Sequence, residues 1–292
     1  MTFLQSLLLG VVQGITEFLP VSSSGHLAIL RNLLGIDTGF GLLFDVCLHL
    51  GTLTAVFIVF RKDIFRMAAE TVRMIADIFS NIKIYFRNQK NKDALRYRKI
   101  FHTNYRKFTA LVLVSVFPTA VLGFAARDLV ELSEKSLLVP GICLILTAGL
   151  LLIADVSQSG DKLPKKITFT NAFVVGIAQG VSTLPGLSRS GTTITACLLC
   201  GFDKRFAVKY SFIMSIPVVV GAAILEIRDV PVSQITPAMT GCCLSGMIAA
   251  GAAGYFCIRK MLGIVRKKQF KGFAVYCLMA GILSIAGYIA MS

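Results

Sequence analysis

Apolar residues gather in eight segments, at about 1–30, 40–60, 108–126, 136–154, 171–200, 211–228, 237–258 and 272–291. Six of them run unbroken for close to the 20 or so residues that a helix needs to cross a bilayer. The first and fifth are different. Each is interrupted near its middle by Pro, Gly and several Ser, from Pro20 to Gly25 and from Pro185 to Gly191. That pattern predicts two short half-helices joined by a loop. Irregular backbone at membrane depth is tolerated only where protein or a water-filled cavity surrounds it. Both segments are therefore expected to be re-entrant hairpins. The fold expected is an all-α integral membrane protein of six transmembrane helices plus two hairpins.

The two broken segments resemble each other. QGITEFLPVSSSGH runs from Gln13 to His26 and QGVSTLPGLSRSGT from Gln179 to Thr192, at a constant offset of 166 residues. Each is followed by three spans, an odd number, so the second half should be inverted relative to the first. This predicts one membrane domain over 1–292 made of two inverted repeats. The first repeat covers 1–155, with its hairpin at 1–30. The second covers 165–292, with its hairpin at 171–200.

Charge sets the orientation. With 61–107 placed inside and the spans alternating, the inside segments hold 25 Lys and Arg and the outside segments hold 4; Arg189 is the one left over. The positive-inside rule favours that arrangement, with both termini outside. Reading either hairpin as a full span destroys the asymmetry. The net charge of +15 is thus accounted for by loops at a membrane surface, and nucleic acid is not expected as a partner. The segment 61–107 carries 13 basic and 4 acidic residues among Ile, Phe and Tyr. It reads as an amphipathic helix lying on the anionic inner leaflet.

Composition agrees with this class: 55% of residues are hydrophobic and the mean hydropathy is +0.75. The opening residues MTFLQSLLLGVVQG have neither a basic n-region nor a small-residue cleavage site, so no removable signal peptide is expected. The eight cysteines are scattered through apolar segments. Cys197 and Cys200 form C-x-x-C without a second ligand pair, so neither zinc nor disulfides are implied.

Ionisable residues inside apolar segments mark function, and Glu17, His26 and Arg189 all lie in the two broken ones. Gln13 and Glu17 are four apart, hence on one helix face. Ser22, Ser23 and Ser24 supply hydroxyls and a cap for a second half-helix near Gly25 and His26. Ser188, Arg189, Ser190 and Gly191 repeat the device. Two helix N-termini facing each other make an anion site, and Arg189 adds a donor fork matched to phosphate. Glu17 could ligand a divalent cation, orient His26 or shuttle a proton. His26 could be nucleophile, base or acid, and a serine could attack phosphorus if a base takes its proton. Ser23 and His26, three residues apart, are expected to face the same cavity. His49 lies one turn after Asp45 and is expected to pair with it in a structural hydrogen bond. His102, in the basic segment, is expected to be solvated.

The segments QGITEFLPVSSSGH and PGLSRSGTT, with FDVCLHLGTLTAVF after the first hairpin, resemble the undecaprenyl-diphosphate phosphatases, the bacitracin-resistance membrane phosphatases. The resemblance covers most of the chain. It implies a multi-pass enzyme of the bacterial plasma membrane that removes the terminal phosphate of undecaprenyl diphosphate. That reaction recycles the lipid carrier for peptidoglycan synthesis. The resemblance also implies a site opening toward the outer face and a divalent cation, Mg or Ca, at Gln13 and Glu17. Glu17, Ser23, His26 and Arg189 would be catalytic, with Ser22, Ser24, Ser188, Ser190, Gly191 and Thr192 around the phosphates. Some members carry Glu where this chain has Gln13; an amide coordinates through oxygen but does not titrate. A transporter or flippase binding an anionic lipid at the same midplane site is the reading from another class, since inverted repeats with broken helices also build transporters.

Overall fold

A computed structural model describes residues 1–36, 42–90, 95–126, 129, 130, 133, 136–158, 160–228, 236–266 and 270–291. The outer connections expected near 127–135 and 229–236 lie largely outside the described residues. Among the described residues ten helices run in order: α1 (Phe3–Phe18), α2 (Ser23–Leu34), α3 (Leu42–Lys90), α4 (Asn104–Ala125), α5 (Leu138–Val156), α6 (Phe169–Val181), α7 (Arg189–Leu199), α8 (Lys204–Arg228), α9 (Pro237–Arg266) and α10 (Lys271–Met291). No strand is named among the described residues, where one isolated bridge joins Lys162 to Phe202. The protein is all-helical.

Among the described residues six helices are long and apolar enough to cross a membrane: Leu43–Lys90, Asn104–Ala125, Leu138–Val156, Lys204–Leu225, Pro237–Gly263 and Lys271–Ala290. They are the six unbroken segments of the sequence. Their outward faces carry large apolar side chains such as Phe57, Phe117, Ile224, Ile248 and Leu283. That surface suits lipid rather than water.

The two broken segments form α1–α2 and α6–α7, and their likeness reaches further back than Gln13. Thr2 caps α1 through a capping box with Gln5, and Thr168 caps α6 through one with Asn171, again 166 residues on. Glycines repeat too. A Cβ on Gly10 or Gly14 would strike the α9 carbonyls of Gly246 and Ala250; one on Gly176 would strike the α4 carbonyl of Ser115, and one on Gly180 the Leu122 side chain. So α1 lies against α9 as α6 lies against α4, backbone on backbone, in the small-residue packing that drives helix association in membranes. The α4–α6 contact is pinned by Ser115 Oγ donating to the Ala172 carbonyl at 2.6 Å and Thr119 Oγ1 to that of Gly176 at 2.9 Å.

The core is aromatic here: Phe108 and Phe202 each contact both Phe206 and Tyr210, which also contact each other. α3 leaves helical geometry at Phe60 (φ −102°, ψ 15°) and then continues to Lys90. The basic segment is therefore helical over its first two-thirds, as an extension of a span.

Candidate functional site

Both breaks place a serine at the start of the next helix. Pro20 lies between α1 and α2, where the chain cannot continue helically. Ser22 then caps α2, its Oγ accepting from Gly25 N at 3.3 Å. Its backbone sits at φ 68°, a region that L-residues seldom occupy. In the second break Ser188 caps α7, accepting from Gly191 N at 3.1 Å. That loop is anchored to α5. Thr147 Oγ1 donates to the Gly186 carbonyl at 3.1 Å and accepts from Ser188 N at 3.0 Å. Gly186 has φ +90° and lies against the Pro140 carbonyl, so only glycine fits.

The ionisable groups meet across the two breaks. Glu17 Oε2 accepts from Gln13 Nε2 at 3.0 Å and from Ser23 Oγ at 2.5 Å. Its other oxygen takes the Arg189 guanidinium, 172 residues away, in a salt bridge. His49 Nδ1 lies 3.1 Å from Gln13 Nε2 and 3.5 Å from Glu17 Oε1. The ring accepts from the amide or turns its N–H to the carboxylate according to tautomer. The Glu17 side chain is 4% exposed, Arg189 25% and His49 38%. The carboxylate is thus the floor of the site, and the cation and the imidazole stand above it.

Above them is a cavity of about 280 Å³. Glu17, Ser22, Ser23, Ser24, His49, Ser188, Arg189 and Ser190 form its polar end. Thr119, Gln179, Ser182 and Thr183 continue it with neutral hydroxyls and an amide, and Val46, Val218, Val219, Ala222 and Ala223 make an apolar wall. The N-termini of α2 and α7 both open here, offering the positive ends of two helix dipoles. The amide oxygens of Gln13 and Gln179, equivalent in the two repeats, are both buried with no hydrogen-bond partner among the described residues.

The structure gathers Glu17, Ser22, Ser23, Ser24, Ser188, Arg189 and Ser190 as expected. Gln13, Gly191 and Thr192 lie close behind; Thr192 is buried, and its hydroxyl has no partner among the described residues. His26 turns away from the cavity, held to the backbone of Ser22. Its Nδ1 sits 2.6 Å from the Ser22 carbonyl, which can only accept, so Nδ1 carries the proton. Nε2 then accepts from the Tyr276 hydroxyl at 2.7 Å, and the two rings stack at 5.5 Å. His26 does not line the cavity with Ser23. The imidazole at the cavity is His49, and Asp45 pairs with Arg31 instead of with it. Sequence reasoning passed over His49 because a neighbouring acid one turn away offered a structural role. It also passed over Thr119 and the α8 wall, which carry no chemical signature of their own.

The fold is that of a multi-pass helical membrane protein, and the starts of two helices, a cation, an acid and apolar side chains of α3 and α8 line its cavity. The sequence profile of the bacitracin resistance protein BacA family matches residues 6–283, and the chain belongs to that family. It is 36% identical over 282 residues to a protein of Methanosphaera stadtmanae named undecaprenyl-diphosphatase, covering 97% of this chain and 96% of that one. A protein of the same name from Alkaliphilus metalliredigens is 36% identical over 285 residues, covering 98% of each. One from Desulforapulum autotrophicum is 38% identical over 292 residues, covering 99% and 100%.

Proposed function

We propose that the protein hydrolyses undecaprenyl diphosphate to undecaprenyl phosphate and phosphate, recycling the lipid carrier and giving resistance to bacitracin. The observation that carries this is the Ser23–Glu17–Arg189 cluster between two helix N-termini, at the polar end of a cavity whose other wall is apolar. Such a cavity matches a phosphate head on a prenyl tail. Family membership and the name shared by its relatives support the same reading.

In this proposal the terminal phosphate enters between α2 and α7 and takes the Arg189 guanidinium from Glu17. A carboxylate oxygen is freed as the ion pair exchanges partners. Ser23 Oγ, already donating to Glu17, attacks the terminal phosphorus, and its proton passes to the carboxylate. The bond to the bridging oxygen breaks, and undecaprenyl phosphate leaves. Water then cleaves the phosphoserine. The backbone N–H groups of the two helix starts and Arg189 stabilise the charge that builds on the equatorial oxygens. His49 stands where it can orient the carboxylate or the water.

A divalent cation fits here. Buried acceptors without donors are costly, and the Gln13 amide oxygen is one, a single turn from the Glu17 carboxylate. Hard oxygen ligands suit Mg or Ca. Gln13 and Glu17 would hold the ion, which would supply neutralising charge for the diphosphate.

We place both broken segments as re-entrant hairpins of an inverted repeat. The repeated caps and glycines, and the matching packing of α1 on α9 and α6 on α4, support this. The cavity is lined from the ends of α3, α4 and α8 that lie away from the basic segments, which supports an opening toward the outer face. Phosphate release from undecaprenyl diphosphate by purified protein in detergent tests the proposal, because transport needs two compartments and hydrolysis does not. No release above that of a Glu17→Gln, Ser23→Ala double variant would overturn it.

A further inference from the structure

We propose that the α3 extension, residues 61–90, is an in-plane membrane anchor whose outer faces bind an anionic phospholipid surface. Three faces run along this helix. The first turns inward and uses every acid in the stretch. Asp63 accepts from Tyr105 Oη at 2.9 Å and from Lys209 Nζ at 3.0 Å. Arg106, 4% exposed, reaches Glu70 at 2.8 Å and Asp77 at 2.7 Å, and Arg98 also holds Asp77. Asn81 and Asn88 on the same face each exchange two hydrogen bonds with the backbone of the returning segment, at Arg98 and Leu95.

The second face is apolar and has little cover among the described residues. Phe65, Val72, Ile75, Phe79, Ile82 and Phe86 recur at intervals of seven, three, four, three and four residues. Phe65 is 75% exposed, Val72 68%, Phe79 61% and Phe86 62%. The stripe is about 32 Å long at a rise of about 1.5 Å per residue. A helix standing in water would present all of it to solvent. The third face flanks the stripe with Lys83 and Arg87, and beyond them with Arg73, which pairs with Glu70 at 2.9 Å, and Arg66, which lies over the Tyr105 ring. With the acids bound internally, a negative surface meets only apolar and basic groups there. The helix joins a span through the non-helical residue Phe60, so a membrane surface is already adjacent. Apolar stripe, basic flank and adjacent bilayer are the combination that seats a helix in the interface plane.

The chain has no tryptophan, so a single introduced one reports alone. Val72→Trp, Arg73→Trp and Phe79→Trp would be made in the full chain, checked for a monodisperse peak, and reconstituted in vesicles of phosphatidylglycerol and phosphatidylcholine with brominated acyl chains. The expected result is blue-shifted emission at 72 and 79, quenched about twofold or more by the bromines and shielded from iodide, as for side chains held about 5–10 Å into the interface. Trp at 73 should be quenched by iodide instead. Quenching at 72 and 79 should weaken when phosphatidylcholine is the only lipid. Iodide access at 72 and 79 without bromine quenching would mean that the helix stands in water. Shielding from both quenchers would mean that a second protein copy covers the stripe. Equal bromine quenching in both lipids would overturn the anionic preference.

Discussion

Replacing Glu17 by Gln tests the centre of the proposed chemistry, because one buried carboxylate holds side chains from both broken segments. The substitution keeps the shape and the neighbours but removes the charge. Ser23 Oγ then loses a charged acceptor at 2.5 Å, and Arg189 loses its counter-ion. Arg189 leaves the carboxylate for the phosphate during the reaction, so the variant loses in the transition state the acceptor of the Ser23 proton, a general-base contribution worth about 3–6 kcal/mol. At about 1.4 kcal/mol per tenfold, kcat/KM should fall by about 10² to 10⁴. The assay is phosphate release from undecaprenyl diphosphate in detergent micelles, with each variant first shown to be monodisperse. Arg189→Lys keeps the charge but loses the fork, and should cost about tenfold or more. Because Arg189 and Glu17 touch, the double variant should lose less than the product of the single losses. Glu17→Gln turning over within tenfold of the parent protein would refute the reasoning, as would full multiplicative losses in the double variant.

Other outcomes follow from the same geometry. His49→Gln should slow turnover by about 10²-fold, in the range of acid–base and orienting groups at a reacting centre, while His26→Gln, which disturbs the hydrogen bond to Tyr276, should cost about 1 kcal/mol, roughly fivefold; the reverse order would return the essential role to His26. Gly176→Val should lower the melting temperature in detergent, because overpacking costs about 1–3 kcal/mol even before the Ser115 carbonyl is moved. Gly149→Ala, with open space around it, is the control that should melt like the parent. In a cysteine-free background, an impermeant thiol reagent should label single cysteines at 127–135 and 229–236 from outside, and those at 85–105 only after permeabilisation; the opposite pattern would reverse the orientation.

Much of the architecture was legible because a bilayer leaves few choices. Apolar length picks out the six spans, and Pro20 and Pro185 pick out the two breaks. The repeat was legible only where chemistry made it conspicuous. Its earlier part, from Thr2 and Thr168 through Gly10 and Gly176, is written in caps and small residues whose meaning depends on the helix that lies across them. The site was read unevenly for the same reason. Glu17, Ser23 and Arg189 stand out as polar groups in an apolar context and do converge. His26 stands out equally, yet its direction follows from the cap at Ser22, which aims the ring at Tyr276. His49 is 36 residues from Gln13 along the chain, and no local pattern reveals which helix face turns to the cavity. The kink at Phe60 carries no Pro or Gly, so nothing in the residues announced it.

The two broken helices share caps, glycines and serines, but not the residues proposed to react. Position 17 holds an acid where its counterpart 183 is Thr, 23 holds Ser where 189 is Arg, and 26 holds His where 192 is Thr. Two identical halves brought together in this way would face carboxylate with carboxylate, or guanidinium with guanidinium, and like charges at contact distance repel. One chain carrying two diverged copies escapes that constraint. Under the proposed function its cavity has a head and a tail, so a molecule whose own ends differ would bind in one direction. In the proposed reading, two like motifs with unlike charges give the site its polarity.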